Sequence, residues 1–234
     1  DIIPTHFSES EIDIIELGAG DGHKTKLIIE GFLNANIKVN FYPVDISSGA
    51  MVQLEKNIES HENLKIHGIV AEYMDGLKFV REKSSNKQFV LFLGSNIGNF
   101  DRVQNQGFLR MLWKNLNDGD KAFIGFDLKK NVQILNRAYN DSDGLTRGFN
   151  LNLLTRINKV LGGEFDLDSF EHFGSYNPVL GAMESFLLST KHQEVYISEL
   201  QRSFTFEAYE PIHLEYSFKF TETEIDTLGK TTGF

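Results

Sequence analysis

The chain has 234 residues, 41% of them hydrophobic and 24% charged, which is a globular composition and excludes a disordered or fibrous protein. It carries 23 basic against 33 acidic residues, and the net charge of −10 argues against a general nucleic-acid surface or an anionic membrane as partner. Cys is absent, which excludes disulfides, thiolate metal sites and a Cys nucleophile. Apolar runs such as Phe89–Leu93 have the length of a strand, far below a membrane span. A chain without Cys fits a reducing compartment, and a cytoplasmic monomer is the expectation.

Ile12–Leu17 reads as a buried strand running into a Gly-rich turn over Gly18–Gly22. His23–Leu33 has helical spacing, with Leu27, Ile28 and Phe32 expected on one side. Lys38–Val44 is a second strand followed by Asp45, and Ser47 or Ser48 is placed to cap a helix running to about Ser60. Leu64–Val70 is a third strand, Tyr73–Glu82 a helix, and Gln88–Leu93 a fourth strand leading into the segment Gly94–Phe100. Val103–Leu116 is a helix with Trp113 expected in the core, and Lys121–Asp127 is a fifth strand. Strands that alternate with helices after a Gly-rich turn give an α/β fold, a Rossmann-like doubly wound parallel sheet.

The later chain has a different pattern. Gln133–Tyr139 and Leu145–Leu161 are helical, while Ala182–Ser189, Glu194–Ile197, Thr205–Ala208 and Ile212–Phe220 read as strands. This is an α+β lobe with antiparallel pairing. The expected domains are a core over residues 1–130, the lobe over 131–220, and a return to the core over 221–234, with a short helix at Glu222–Leu228. The chain opens on Asp1 rather than Met and stops at Phe234, so both ends are expected to be incomplete.

The clearest chemical signal is Glu16, Gly18, Gly20 and Gly22, an acid-x-G-x-G-x-G string after a buried strand. A dinucleotide fingerprint would need a third glycine where His23 stands. Asp45 ends the second strand, where an acid can bind both ribose hydroxyls, and Glu72 follows the third. Lys24, in the first helical turn, can hold a carboxylate but is equally a solvated lysine. The glycines alone need only shape a turn; with acids at successive strand ends they make a cofactor-binding constellation. The seven histidines show no H-x-x-x-H pair, and no Ser stands in a G-x-S-x-G elbow, so neither a metal nor hydrolase chemistry is expected. The Tyr139–Asn150 loop lacks the first and last acids of a calcium loop, and Asp166 and Asp168 read as helix caps.

The acid-glycine string resembles the first motif of class I S-adenosylmethionine-dependent methyltransferases. More specific are Leu93–Phe100, Ala138–Asp141, Phe149–Leu154, Arg156–Asn158, Phe165–Asp168 and Glu215–Lys219. In this order they resemble the histidine N-alpha-methyltransferases of ergothioneine biosynthesis, over most of residues 12–220. The resemblance implies a class I methyltransferase sheet with an inserted α+β substrate-binding lobe, S-adenosylmethionine as cofactor, and trimethylation of the histidine α-amine to hercynine. It implies cofactor contacts from Glu16, Gly18, Gly20, Lys24, Asp45, Glu72, Tyr73 and Gly94. It implies that Asn99 and Tyr139 hold the amino-acid backbone and serve the chemistry, and that Glu215 and Ser217 read the imidazole. Ser185 stands where the family commonly has Met, leaving more room and polarity, and the family's N-terminal helical segment with a substrate-binding Tyr is expected to be missing.

Position agrees with part of this. Asn99 comes after the end of the fourth strand, where ligands bind in open α/β sheets. Glu215 and Ser217 are two apart on one strand and so share a side. Without the resemblance, that side is the water-facing side of an antiparallel strand. Two other functions stay open: a methyltransferase for another, aromatic amino acid, and a cofactor-binding module without catalysis.

Overall fold

In the computed structural model, which describes residues 2–234, Glu11–Leu17 forms β1 and every side chain from Ile12 onward in it is buried. Such a run belongs to a parallel sheet covered on both faces. Next along the chain come His23–Asn34 (α1), Lys38–Asp45 (β2), Ser48–Asn57 (α2), Leu64–Ile66 (β3), Ile69–Val70 (β4), Tyr73–Lys83 (α3), Lys87–Phe92 (β5), Arg102–Asn115 (α4) and Lys121–Ile124 (β6). The strands run parallel in the order β3-β2-β1-β5-β6, with β4 also on β2. On one face, Ile12, Ile14, Val39, Phe41, Phe89 and Leu91 pack with Ile29 and Phe32 of α1 and Leu54 of α2. On the other, Gly76 of α3 lies against Val44, and the rings of Phe92 and Phe108 of α4 are 4.6 Å apart. This is the doubly wound parallel sheet expected from the alternation.

Several details differ from the sequence reading. The third strand breaks at His67 and Gly68 into β3 and β4. Leu27 is 71% exposed, because the buried stripe of α1 is Thr25, Ile29 and Phe32. Trp113 is half exposed: α4 buries Asn105, Phe108, Leu109 and Leu112, and Trp113 lies beside that stripe, against Gly233. The apolar run of β1 also contains the buried Asp13, whose Oδ1 accepts from Asn40 and Asn86 Nδ2, both at 3.0 Å.

Contacts divide the chain into two units. One is the chain up to Ile97 with Arg102–Phe126 and Ile225–Phe234; the other is Gly98–Asp101 with Asp127–Glu224. The second unit contains Val132–Tyr139 (α5), Leu145–Leu161 (α6), Phe170–Asn177 (β7), Ala182–Ser189 (β8), Gln193–Ile197 (β9), Arg202–Phe206 (β10) and Pro211–Phe218 (β11). Glu222–Thr232 (α7) ends the chain, longer than the short helix expected there. β11, β8 and β7 form an antiparallel sheet in that order, and β9 and β10 form a separate hairpin. Leu151 and Leu154 of α6 pack with Phe170, Leu187, Val195 and Ile197.

The sequence reading missed β7, because Glu171, His172, Gly174 and Ser175 break up any apolar alternation. β10 lies earlier than the expected Thr205–Ala208, and β11 ends at Phe218. Ser47 caps α2 as expected, accepting from Ala50 N–H at 3.3 Å. Asp166 caps a short 3-10 turn, Leu167–Ser169, rather than an α-helix. Asn158 pairs its amide with both backbone groups of Phe165, at 2.8 and 2.9 Å. That clasp gives the Arg156–Asn158 and Phe165–Asp168 strings a structural role.

Candidate active site

In the first unit the turn after β1 is tied to the end of β2. Gly18 and Ala19 N–H donate to Val44 O at 2.8 and 3.3 Å, and Gly20 N–H donates to Asp45 Oδ2 at 3.1 Å. Ser47 N–H donates to Asp45 Oδ1 at 2.9 Å. Each Asp45 oxygen therefore holds one backbone donor and keeps acceptor capacity, the state needed to receive two neighbouring hydroxyls. Gly18 has φ +76°, and a Cβ there would lie 3.2 Å from Tyr73 Oη and 3.3 Å from Asn96 Nδ2. Only glycine leaves that stretch of backbone open.

Glu72 opens α3, exposed and without a side-chain cap bond. Burial, reinforced by Asp45 and Glu72, raises the Tyr73 phenol above its ordinary range. Lys24 is exposed in the first turn of α1, with Nζ 3.4 Å from where a Gly94 Cβ would be. Ser95 adopts φ +60°, local strain of a kind that gathers at ligand sites. Glu16 is 3% exposed and its Oε2 has no hydrogen-bond partner. Burial pushes its carboxyl to about 7, against the opposing pull of the nearby Thr25 hydroxyl and Lys24. Thr25 Oγ1 makes no hydrogen bond of good geometry, so its proximity does not satisfy Glu16. A buried acceptor without a donor, a carboxylate set for a diol, and open backbone fit a cofactor that carries an ammonium, a ribose and a carboxylate. Asn96 belongs to this group and was missed in the sequence, where its signal was membership of the Leu93–Phe100 string.

The second unit collects Asn99, Tyr139, Ser185, Glu215 and Ser217. Gly98 packs against β11 so closely that a Cβ would meet Phe218 O at 2.8 Å, which brings exposed Asn99 beside that strand. β11 carries a bulge: His213 pairs with Phe186 and Glu215 with Ser185, leaving Leu214 as an extra residue. A bulge reverses the facing of the residues beyond it. It turns Glu215 and Ser217 to the face of Ser185 and Met183, both fully buried, and away from the water-facing side that simple alternation describes. Ser185 pairs on its other side with Gly174 of β7. A Cβ on Gly174 would lie 3.1 Å from Tyr139 Cβ, so α5 covers this row.

Asn140 holds α5 there. Its Nδ2 donates to Gly174 O at 2.9 Å and its Oδ1 accepts from Gly174 N–H at 3.0 Å. His172 Nε2 donates to Tyr139 O at 2.7 Å, and Asn150 Nδ2 lies 3.0 Å from its Nδ1. Glu215 is half-buried and lines a cavity of about 220 Å³ with Phe149, Leu153, Arg156 and Leu214. The Ser185 hydroxyl has no hydrogen-bond partner.

Lys219 and Asp127 went unassigned in the sequence. Lys219 is buried, and its Nζ lies 3.0 Å from Asp127 Oδ2, 2.9 Å from Tyr139 Oη and 2.8 Å from Ser217 Oγ. Burial raises the Asp127 carboxyl, but hydrogen bonds from Lys130 and Lys219 outweigh it and hold the group below its ordinary range. The available signal was period two along Glu215, Ser217 and Lys219.

The parallel sheet with ligand-ready strand ends defines a Rossmann-like α/β protein. The sequence profile of the S-adenosylmethionine-dependent histidine-specific methyltransferases matches residues 1–234, and the chain belongs to that family. It is 31% identical to histidine N-alpha-methyltransferase of Mycolicibacterium smegmatis over 208 residues, 88% of this chain and 64% of that protein. It is 31% identical to ergothioneine biosynthesis protein 1 of Neurospora crassa, over 97% of this chain and 26% of that protein. An L-tryptophan methyltransferase of Psilocybe serbica is 26% identical over 94% of this chain and 66% of its own length. The chain thus covers under two thirds of the first two relatives. Among the described residues, no helix is long and apolar enough to cross a membrane.

Proposed function

We propose that the protein transfers methyl groups from S-adenosylmethionine to the α-amine of L-histidine, in three rounds, giving the trimethylated betaine hercynine. The carrying observation is the row Glu215–Ser185–Gly174 with Ser217 beside it. It offers a carboxylate acceptor and two hydroxyls on one covered face, the complement of an imidazole N–H and ring nitrogen. A phenyl ring satisfies neither group and leaves a carboxylate unpaired, a penalty larger than packing differences supply.

When bound, the cofactor supplies a sulfonium methyl already activated for displacement. In this reading Asp45 takes the ribose hydroxyls, Glu72 and Tyr73 the adenine end, Lys24 the carboxylate and Glu16 the ammonium, with Gly94 alongside, while Gly18 and Gly20, whose N–H groups are already given to Val44 O and Asp45 Oδ2, leave room for the cofactor. Asn99 and Tyr139 hold the amino-acid group, which supplies the alignment that methyl transfer requires. The amine must lose its proton to attack, and Tyr139 or an ordered water takes it.

A second reading, an aromatic amino acid such as tryptophan, draws on the Psilocybe relative and on Ser185, a smaller side chain than the Met the family commonly has there. Mass spectrometry of the full chain incubated with S-adenosylmethionine and a panel of amino acids separates the two. Mono-, di- and trimethylated histidine are expected. Preference for tryptophan selects the second reading, and methylation of no amino acid leaves a cofactor-binding module.

A further inference from the structure

We infer that Lys219 is a positioning residue that forces the Tyr139 and Ser217 hydroxyls to present their protons to the ligand. The inference rests on the proposed histidine reading and adds the form of the ring that is read, a neutral imidazole with one N–H and one lone pair.

Proton counting fixes the direction of each bond. An ammonium has three donors and no acceptor. The Lys219 side chain is 1% exposed, and its Nζ has three acceptors within hydrogen-bond distance: Asp127 Oδ2, Tyr139 Oη and Ser217 Oγ. All three protons are used. Both hydroxyl oxygens must therefore accept from Lys219, and each hydroxyl's own proton is free to go elsewhere. Asp127 is also held from the other side, where Lys130 Nζ donates to Oδ1 at 2.7 Å. The Lys219 ammonium further lies 4.9 Å from the centre of the Tyr139 ring.

The ligand thereby meets two fixed requirements. Ser217 is a donor toward it and requires a lone pair, while Glu215 is an acceptor and requires an N–H. Neutral imidazole offers one of each; imidazolium offers two N–H groups and sets one against the Ser217 proton. Tyr139, also a donor, suits the substrate carboxylate, and with its oxygen accepting from Lys219 it leaves the amine proton to the second of the two routes proposed above. Water then takes that proton. A buried ion pair is commonly no more stabilising than an apolar pair of like volume, so stability alone gives little reason for a lysine here. Orientation of two hydroxyls does, since donors polarised by a charged partner bond more strongly.

The test compares kcat/KM for histidine, the two pyrrolylalanines (an N–H, no ring lone pair), thiazolylalanine (a ring lone pair, no N–H) and phenylalanine. Wild-type chain should prefer histidine over each analogue. In Lys219→Met the preference over the pyrrolylalanines should shrink by roughly tenfold, the share of one charge-assisted hydrogen bond. The preference over thiazolylalanine, which reports on Glu215, should hold. Because Lys219→Met leaves Asp127 with Lys130 as its one remaining ion-pair partner, the double variant Lys219→Met/Asp127→Leu removes both charges of the buried pair, and its melting temperature should return toward wild type. The lost selectivity should not return with it. A double variant that regains the wild-type ratio, or variants in which all substrates fall together, would show a merely structural ion pair. A wild-type chain that does not prefer histidine to phenylalanine overturns the substrate reading itself, and the inference with it.

Discussion

Ser185 of β8 faces Glu215 of β11 in register, and its wholly buried hydroxyl has no hydrogen-bond partner. A polar group left unpaired in the interior costs free energy, and a ligand that pairs it recovers that cost. Ser185→Ala should therefore stabilise the ligand-free chain by about 1 kcal/mol while raising the histidine KM. Ser185→Met should destabilise by about 1–3 kcal/mol through overpacking and narrow the pocket. Thermal melts with steady-state kinetics check both. An Ala variant that melts lower with KM unchanged would remove Ser185 from the site.

The Asp45 carboxylate is prepared by two backbone donors, Gly20 and Ser47. Asp45→Ala should weaken S-adenosylhomocysteine binding by about 1.5–3 kcal/mol, the range of hydrogen bonds to a charged group. Asp45→Asn keeps one acceptor oxygen and should lose less. Titration calorimetry giving the wild-type affinity in Asp45→Ala contradicts the assignment.

Glu16 gives the ligand-free protein a pH signature. Its carboxyl rises from the ordinary 4.5 to about 7 on folding, chiefly by burial. Between those values the folded chain keeps a proton that the unfolded chain releases, so stability falls as pH rises through that window. The loss is at most about 3 kcal/mol, and Glu16→Gln should abolish it. Melting curves from pH 4.5 to 8 for both proteins decide the matter; parallel curves remove Glu16 as the cause. Binding of a ligand ammonium beside Glu16 should release a proton, measurable as a dependence of binding heat on the buffer.

The imidazole assignment makes unequal demands on β11. Glu215→Ala should lose histidine activity and gain relative activity on phenylalanine. Ser217→Ala should do less, because a neutral hydroxyl contributes about 0.5–1.5 kcal/mol. If the histidine-to-phenylalanine ratio of kcat/KM is unmoved in Glu215→Ala, another residue reads the ring.

Local patterning was enough to place the parallel sheet and the ends of β1 and β2, while the fifth strand, expected to run to Asp127, stops at Ile124. Burial on both faces writes a run as apolar as Ile12–Leu17, interrupted only by Asp13 and Glu16, and the turn chemistry sits directly after it in Gly18, Gly20 and Gly22. Asp45 and Glu72 are legible for the same reason: their positions are set by local strand ends. The antiparallel unit was legible only in part. Gly174 erases the pattern of β7, although its missing side chain is what lets Tyr139 approach. The facing of Glu215, Ser217 and Lys219 depends on one extra residue, Leu214, against the paired strand β8. Period two along a single strand cannot register that bulge, since it exists only in the pairing. The contact of Lys219 with Asp127 and Tyr139 likewise joins segments far apart in the chain. Such contacts depend on how strands and helices pack, so which polar residues of an alternating strand turn inward becomes visible only in the folded chain.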